Sequence, residues 1–514
     1  MQSVSVPGTT PVIVGVGQHV DRLDDPNYAR LSAVEIAAAA GQAALADSAV
    51  SLAEVIDVVA TTRTFNDSAP HFRLPFGASN NFPRSIAMRL GIEAEQYIWE
   101  DSGGNTPQNL VSEMCERLAD GRCEGVLIAG AEAISTARRL IKEQASVDWS
   151  ETLDDPVEDR HGQQTKGILT GHAYRHGLLA APTLYGLSEN ARRHRAGENR
   201  ESWRSVMADW FAPFAAVAAD NPFSSTDVPA YSKAQIAEVT SDNRLIADPY
   251  PRLLVARDQV NQGAALVLTT VAKATELGID ASNWVFLHGY AAAKEKIIEH
   301  RPHLDRYPAA VAAARAALEY ADATIQDIAA FDFYSCFPIA VTSVAEAFDL
   351  TADDPRKLTV TGGLPYFGGP GNNYSMHGIA SMVEWLRAHP EQLGFVGANG
   401  GFLSKYAVGI YSTKPRAFSV CDSAALQQDL DAIPDQPFTE EPDGTGVIET
   451  YTIEYARDGA PKLAIIVGRL EGSDLRFIAN TDDESTLKHL VEVEPIGLSV
   501  VVAHKDRLNH FSLA

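Results

Sequence analysis

Two stretches of the chain repeat each other at a fixed distance. AALADSAVSLAEVIDVV begins at Ala43 and AALEYADATIQDIAAFD begins at Ala316, an ungapped offset of 316 − 43 = 273 residues. Further along, VSEMCERLADGRCEGVLIAG from Val111 matches IASMVEWLRAHPEQLGFVGANG from Ile379, with one extra residue in the later copy. Each copy is typical of a helix followed by an apolar strand. The repeat therefore predicts a duplicated α/β unit.

Length and composition fit an enzyme-sized chain. Its 514 residues, 45% of them hydrophobic, suffice for about two to four domains with buried cores. The formal net charge of −25 argues against partners such as nucleic acid or an anionic lipid surface. We expect no secretory signal and no membrane span. The four cysteines show no close metal-ligand spacing, so we also expect a cytoplasmic protein with no metal site.

Changes in periodicity divide the chain into five segments. Apolar strands and an Ala-rich helix dominate residues 1–137, whereas 138–257 are richer in charge and histidine and predict an inserted loop domain. The strand and helix pattern resumes over 258–413. Residues 414–445 gain Pro, Asp and Glu, which is typical of a linker. Residues 446–514 predict a small β domain, either a barrel or an open sheet.

Four motifs resemble those of the thiolases, in the same order, over roughly Thr10 to Thr413. They are GRCEGVLIAGAEAIS from Gly121, GLSENARRHRAGENRESW from Gly186, RDQVNQGAALVLTTVAKATELG from Arg257 and TGGLPYFGGPGN from Thr361. With its added C-terminal domain, the chain most resembles the thiolase-like protein type 1 group. The resemblance implies a duplicated, five-layered αβαβα thiolase-like fold with an inserted loop domain and a small OB-like C-terminal β-barrel. It also implies acetyl-CoA acetyltransferase-like handling of acyl-CoA in lipid metabolism.

The catalytic positions of the thiolases carry other residues here. By this resemblance, the nucleophilic cysteine falls on Gly104, and the Asn or His of the Asn-Glu-Ala-Phe or His-Asp-Cys-Phe motif falls on Tyr334. The Gly-His-Pro histidine falls on Gly369, and the second cysteine falls on Ala398. Claisen condensation needs a thiolate to hold the acyl group and a second thiolate to move a proton. We therefore expect acyl transfer to be lost or altered.

Two other side chains are candidates for the missing catalytic groups. Ser102 supplies a hydroxyl two residues before Gly104, although the sequence names no adjacent base for it. His377 follows the glycine loop, and a shift of that loop by several residues would bring it toward the site.

The repeat also places two helix N-termini at equivalent positions, after SGGN and after the GGPGNN loop. Two N-termini that face one cleft would offer free N–H groups to a thioester oxygen or an enolate, as an oxyanion hole does. The alternative is a pair of glycine-rich helix starts that serve close packing alone. The candidate loop residues are Gly103, Asn105, Asn372, Asn373, Ser375, Asn399 and Gly400.

Tyr334 follows the apolar run IAAFDF, so it is predicted at the carboxyl end of a buried strand, where open α/β sheets bind ligands. The alternative is a tyrosine that anchors a loop through its hydroxyl. A second resemblance, to thiolase-fold steroid side-chain aldolases with a Tyr-Asp-Ala-Phe motif, implies a catalytic role. It assigns the second tyrosine to Tyr374 and the partner β-barrel to the fused C-terminal domain.

Coenzyme A needs positive charge for its phosphates. The resemblance places its site near Lys166, Arg192, Arg193 and Arg195, although such a cluster is also typical of a solvated helix surface. Three functions remain open: an acyl-CoA binder with altered chemistry, a retro-aldolase acting on a β-hydroxyacyl-CoA with a tyrosine base, and a non-catalytic partner protein. We expect no covalently bound cofactor, and either a monomer or a homodimer.

Overall fold

The structure is a computed structural model that describes residues 6–50, 52–163 and 168–514. Strands and helices are numbered in chain order. The first half contains β1 (Pro11–Val20), α1 (Ala33–Asp47), β2 (Val58–Thr61), α2 (Phe65–Ser68), α3 (Phe82–Leu90), β3 (Gln96–Trp99), α4 (Thr106–Ala119), β4 (Gly125–Ala133) and α5 (Ile134–Glu143). The inserted region contains β5 (Glu158–Asp159), α6 (Gly171–Arg175), α7 (Ala181–Arg195), α8 (Arg200–Asp220), α9 (Lys233–Ala237), β6 (Leu245–Ala247) and β7 (Tyr250–Pro251).

The second half begins with a long buried strand. It contains β8 (Asn261–Thr270), α10 (Val271–Glu276), β9 (Phe286–Lys294), α11 (Pro308–Tyr320), β10 (Ile328–Asp332), α12 (Pro338–Ala345), α13 (Tyr374–Ala388), β11 (Leu393–Gly400) and β12 (Lys405–Ser412). The remaining elements are α14 (Ser423–Asp431), β13 (Asp443–Tyr455), β14 (Pro461–Leu470), β15 (Arg476–Thr481), α15 (Glu484–Glu492), β16 (Ser499–Lys505) and β17 (Leu508–Leu513).

Two sheets and three helical layers build the main body. The first sheet has the order β1-β8-β4-β2-β3-β5, and the second has the order β10-β11-β12-β9. Helices α4 and α13 touch each other and strands of both sheets, so they form the middle layer. Helix α1 covers the outer face of the first sheet, and α11 covers that of the second. The layers therefore alternate as αβαβα, as predicted.

The repeat in the sequence is a repeat in space. Helix α1 ends at Asp47 and α11 ends at Tyr320, which gives 320 − 47 = 273 residues, the offset read from the sequence. In both halves a strand glycine lets the helix backbone approach closely: a Cβ on Gly15 would collide with the carbonyl of Ala44, and one on Gly289 with that of Ala317. The same packing device is thus used twice.

Strands β13 to β17 form a closed five-stranded barrel. Hydrogen bonds join β13 to β14, β14 to β15, β15 to β17, β17 to β16 and β16 back to β13, and α15 lies between β15 and β16 in the chain. This closed Greek-key order is that of an OB-fold. The barrel begins at Asp443, so the last residues of the predicted linker belong to it, and α5 runs across the predicted boundary at 137 to Glu143.

The barrel packs on the inserted region. Strand β6 pairs with β13 through Ala247 and Glu454. The guanidinium of Arg200 pairs with Asp248 at 2.9 Å and donates to the hydroxyl of Tyr451 at 2.7 Å. Among the helices of residues 6–50, 52–163 and 168–514, none combines the length with the hydrophobicity that a transmembrane segment requires.

Candidate functional site

Tyr334 fills the space that a side chain at position 104 would need. A Cβ on Gly104 would lie 2.6 Å from Cζ of Tyr334, would overlap its hydroxyl, and would lie 2.5 Å from the carbonyl oxygen of Asn399. Gly104 belongs to the turn before α4, whereas Tyr334 lies just beyond the end of β10. The absence of a side chain at one position therefore makes room for the phenol at the other.

The turn before α13 holds the turn before α4 in place. The side-chain oxygen of Asn372 accepts the N–H of Gly103 at 2.9 Å, and its amide donates to the carbonyl of Arg63 at 2.6 Å. The hydroxyl of Ser375 donates to the carbonyl of Gly104 at 2.6 Å. These side chains use their hydrogen bonds on backbone groups of the first half, which makes them positioning residues.

Asn373, the next residue, also bonds to a backbone group of the first half. Its amide donates to the carbonyl of Gly130 at 2.7 Å, and its oxygen lies 3.3 Å from the hydroxyl of Thr62. Gly130 is in β4, so this contact ties the start of α13 to the first sheet. The polar character of this loop, which the sequence suggests is catalytic, thus has a structural cause.

Tyr374 lies behind Tyr334. The two rings meet edge to face with centroids 5.3 Å apart, and the hydroxyl of Tyr374 lies 2.6 Å from that of Thr361, which in turn donates to Asp332 at 2.9 Å. Burial raises the pKa of both phenols well above their ordinary value of 10, so both stay protonated at neutral pH. Each phenol is therefore suited to donate a hydrogen bond and poorly suited to accept a proton.

His377 is buried in α13 and belongs to the contact between the halves. Its Nδ1 lies 2.7 Å from the side-chain oxygen of Gln18 in β1, and its ring meets that of Phe367 edge to face at 5.3 Å. Burial lowers its pKa to about 3, so the ring is neutral at physiological pH. Its Nε2 is buried and has no hydrogen-bond partner among the described residues, so a catalytic role for His377 stays a prediction.

Three buried oxygens line the turn before α4 and its surroundings without a hydrogen-bond partner among the described residues. They are the hydroxyl of Ser102 and the side-chain oxygens of Asn105 and Asn399. A Cβ on Gly103 would lie 2.5 Å from the oxygen of Asn105, and one on Gly400 would collide with it. Buried polar atoms without partners are costly, and their clustering marks a place where a ligand or water completes the bonding.

Lys405 brings an amine to the same turn. It is the first residue of β12, 2% exposed, and its Nζ donates to the carbonyl of Ser102 at 2.8 Å. The same nitrogen would lie 2.9 Å from a Cβ on Gly103. Burial lowers the pKa of Lys405 to about 8, against the attraction of Asp101 and Glu100. A lysine that is partly neutral near physiological pH is a usable base.

The other replaced positions offer no reactive group. Ala398 is buried in β11 opposite Ala407, and the N–H of Gly369 donates to the carbonyl of Arg257 at 2.7 Å. Cys336 lies 3.6 Å from the side-chain nitrogen of Asn399, and burial raises the pKa of its thiol to about 12. This thiol is therefore protonated and unreactive.

Two of the predicted coenzyme A residues are turned into the protein. Arg192 pairs with Glu346 and with Glu189, and its guanidinium stacks on a tryptophan ring. Arg193 is 1% exposed and pairs with Glu494 of the C-terminal domain at 2.7 Å. Their N–H groups are engaged, so these arginines join the inserted region to its neighbours.

The remaining two members of the set differ from each other. Arg195 is partly exposed and pairs with Asp305 at 3.0 Å. Lys166 lies outside the described residues. Coenzyme A binding near this helix therefore stays a prediction.

The whole chain is similar to a protein of known structure. It is 42% identical to a structure described as a monomeric SCP2-thiolase like protein type 1 from Mycobacterium smegmatis, with a TM-score of 0.85. The match covers 99% of this chain and 100% of that one. The chain belongs to the thiolase-like protein type 1 family. Residues 425–507 also match the additional C-terminal domain of thiolase-like protein type 1. No curated protein matches the chain.

More distant structures share the fold of this family member. Acetyl-CoA acetyltransferase from Syntrophomonas wolfei is 16% identical, with a TM-score of 0.57, and the match covers 78% of this chain and 99% of that one. A structure described as the Ltp2-ChsH2(DUF35) aldolase is 19% identical, with a TM-score of 0.55, and the match covers 80% of this chain and 100% of that one. At these identities the likeness shows the thiolase fold and nothing finer.

Sequence reasoning missed Lys405 and Tyr185 in this thiolase-like protein. The hydroxyl of Tyr185 accepts a hydrogen bond from Asn399 at 2.7 Å, and its ring stacks on that of Phe337. The one available signal for Lys405 was a lysine directly before the apolar run YAVGIY, at the start of a buried strand. Nothing in the sequence shows that this strand starts beside the turn at Gly103.

Proposed function

We propose that this thiolase-like protein binds an acyl-CoA thioester beside the turn before α4, where its two halves meet, and acts on it without an acyl-enzyme intermediate. The observation that supports this proposal is the overlap of Tyr334 with the side-chain space of residue 104. A cysteine at that position and this phenol exclude each other. The phenol then stands where an acyl group would be attached, and it can donate a hydrogen bond to a carbonyl or enolate oxygen.

Retro-aldol cleavage of a β-hydroxyacyl-CoA is the reaction that the site favours. A base is needed for the β-hydroxyl proton, and the high pKa of Tyr334 makes its phenol a donor instead. Lys405 supplies the base, because its pKa of about 8 leaves about one tenth of the amine neutral at pH 7. This division of roles replaces the tyrosine base that the aldolase resemblance implies.

The steps balance with these two groups alone. The neutral amine of Lys405 takes the β-hydroxyl proton, the Cα–Cβ bond breaks, and the β-carbon leaves as an aldehyde or ketone. The bonding electron pair moves to Cα and the thioester oxygen as an enolate, which accepts a hydrogen bond from Tyr334. The ammonium then returns the proton to Cα, giving a shortened acyl-CoA.

Substitution of Tyr334 and Lys405 separates the candidate functions. We expect Tyr334→Phe and Lys405→Met each to keep binding of a β-hydroxyacyl-CoA, measured by calorimetry, while the rate of cleavage falls about a hundredfold. Lys462→Met is the matched control, since this exposed lysine lies on the barrel. A protein that binds the thioester with no cleavage is a binder, and one that binds none of CoA, acetyl-CoA and the longer thioester is a non-catalytic partner.

The pH profile tests the role of Lys405. Only the neutral amine accepts a proton, so we expect kcat/KM for cleavage to rise with pH, to be half-maximal near pH 8 and to level off about one unit above that. Lys405→Arg stays protonated throughout and is expected to lose this rise along with most of the activity. A wild-type profile that is flat between pH 6 and 9 would exclude Lys405 as the base.

A further inference from the structure

A separate cavity of about 330 Å³ lies in the first half of the protein, and neither Tyr334, Gly104 nor Lys405 lines it. Its walls carry the aromatic side chains of Phe65, Phe72, Phe82 and Trp149. We call it the Trp149 cavity.

Most of the surface that the cavity wall exposes is apolar, and ring contacts fix parts of this wall. The rings of Phe65 and Phe72 stack with centroids 5.3 Å apart, and Trp149 packs on Phe76 at 5.1 Å. Phe72 and Ile141 are 45% and 49% exposed at its mouth. Large exposed apolar side chains around a concave, aromatic-lined surface are typical of a binding site for a small molecule.

A deeply buried carboxyl group forms part of this wall. Glu132, in β4, is 3% exposed, and one of its oxygens accepts the N–H of Phe65 at 2.7 Å. Burial, together with the nearby Asp67 and Asp258, raises the pKa of Glu132 to about 8. At pH 7 the group is therefore mostly the neutral acid, which has an O–H to donate.

The charged groups around the cavity come from three parts of the chain and balance one another. They are Asp67, His71 and Arg73 from the segment that begins with α2, Arg138 from α5, and Asp258 before β8. Arg138 and Asp258 pair at 3.3 Å, and both are half-exposed. Burial raises the pKa of Asp67. The acidic groups would repel a ligand that carries a carboxylate, and the two arginines would repel a cationic ligand.

We propose that the Trp149 cavity binds an uncharged, largely apolar molecule that presents a carbonyl or hydroxyl oxygen to Glu132. The aromatic walls take up the hydrocarbon skeleton, and the O–H of Glu132 donates to the ligand oxygen. The side chain of Glu132 also lies close to the turn before α13, because a Cβ on Gly371 would lie 2.9 Å from its carboxyl carbon. Binding here does not require that the protein act on acyl-CoA.

Three probes with the same ring system test the proposal. They are 2-acetonaphthone, 2-naphthoate and 2-naphthylmethylamine, which offer a ketone, a carboxylate and an ammonium group. We expect the ketone to bind at pH 7 about fivefold or more tightly than the other two, measured by calorimetry and by quenching of Trp149 fluorescence. Trp149→Phe should remove the change in fluorescence while calorimetry still detects binding. Absence of binding by all three probes, or tighter binding of either charged probe, would overturn the proposal.

The pH dependence identifies Glu132. As the acid ionises through about pH 8 it loses its donor, so ketone affinity should fall about fivefold between pH 7 and pH 9. Glu132→Gln keeps a donor at every pH and is expected to bind the ketone with no such fall, whereas His71→Gln should keep the wild-type profile. An unchanged fall in Glu132→Gln would contradict the proposal. If that variant does not fold, the wild-type pH series with the three probes decides.

Discussion

The turn before α4 and the turn before α13 occupy equivalent places in the repeat, but their polar groups are used in opposite ways. Gly104 and Asn372 each lie two residues before the first residue of their helix. In the second turn, Asn372, Asn373 and Ser375 all bond to backbone groups of the first half. In the first turn, buried oxygens of Ser102 and Asn105 have no partner in the described part of the chain.

This difference assigns the two turns different tasks. The second turn carries a network that fixes the position of the first, as buried polar groups do when every bond is made. The first turn lies against Tyr334 and Lys405 and keeps unmade hydrogen bonds. Duplication supplied two similar helix starts, and we infer that only the first meets a ligand directly. Changes in the second turn should therefore act on stability, and changes beside the first should act on chemistry.

The largest expected effect concerns α13, the helix that follows the second turn, where the buried His377 makes the protein less stable in acid. Unfolded His377 takes up a proton near its ordinary pKa of 6.5, whereas the buried ring stays neutral down to about 3. Because the unfolded state binds more protons in this window, stability is fully present above pH 6.5 and is lost as the pH falls toward 3. Between pH 7 and pH 4 the loss of unfolding free energy attributable to this ring is about 3 kcal/mol. Urea unfolding at pH 7 and pH 4 measures it.

A pair of variants isolates the contribution of His377. We expect His377→Gln to reduce the difference in unfolding free energy between pH 7 and pH 4. His389→Gln, at an exposed position one residue beyond the same helix, should leave that difference unchanged. Equal acid sensitivity in wild type and His377→Gln would show that this ring is not the source.

The second largest effect concerns the first turn. Gly104→Ala places a methyl group against the phenol of Tyr334 and should lower the unfolding free energy by about 1 to 3 kcal/mol. Tyr334→Ala removes the phenol and leaves a cavity, while the carbonyl oxygen of Asn399 still lies 2.5 Å from the new Cβ. The double variant should therefore cost less than the sum of the two single variants. Denaturant unfolding of all four proteins measures this coupling. Additive costs would mean that the phenol of Tyr334 is not the main obstacle to a side chain at residue 104.

The fold was predictable because it repeats. An offset of 273 residues between Ala43 and Ala316 recurs at the ends of α1 and α11, and the equivalence of Val111 and Ile379 holds, since each lies five residues after the first residue of α4 or α13. Helix periodicity and the apolar runs of buried strands are local properties of the sequence, so they can be recognised without the three-dimensional structure. The barrel was predicted as a domain, but its closure depends on pairing between distant strands.

The site was predictable only in part, because its contacts join residues far apart in the chain. Motif matching found Gly104 and Tyr334 as replaced positions, but their overlap spans more than two hundred residues and appears only in the fold. The basic run at Arg192 and Arg193 suggested phosphate binding. In the fold these side chains pair with Glu346 and Glu494, and the sequence does not reveal such pairing between distant residues. Lys405 was missed for the same reason.

The smallest expected effect compares one residue from each turn. Asn372→Ala leaves the N–H of Gly103 and the carbonyl of Arg63 without their partners, which should cost about 2 kcal/mol of unfolding free energy. Ser102→Ala removes a hydroxyl that has no partner among the described residues, so its cost should stay within about 0.5 kcal/mol. Under the proposed function, calorimetry should nevertheless show weaker acyl-CoA binding in both variants: Asn372→Ala loosens the turn, and Ser102→Ala removes a group left for the ligand. A large loss of stability in Ser102→Ala would mean that both turns are structural, and the comparison would fail.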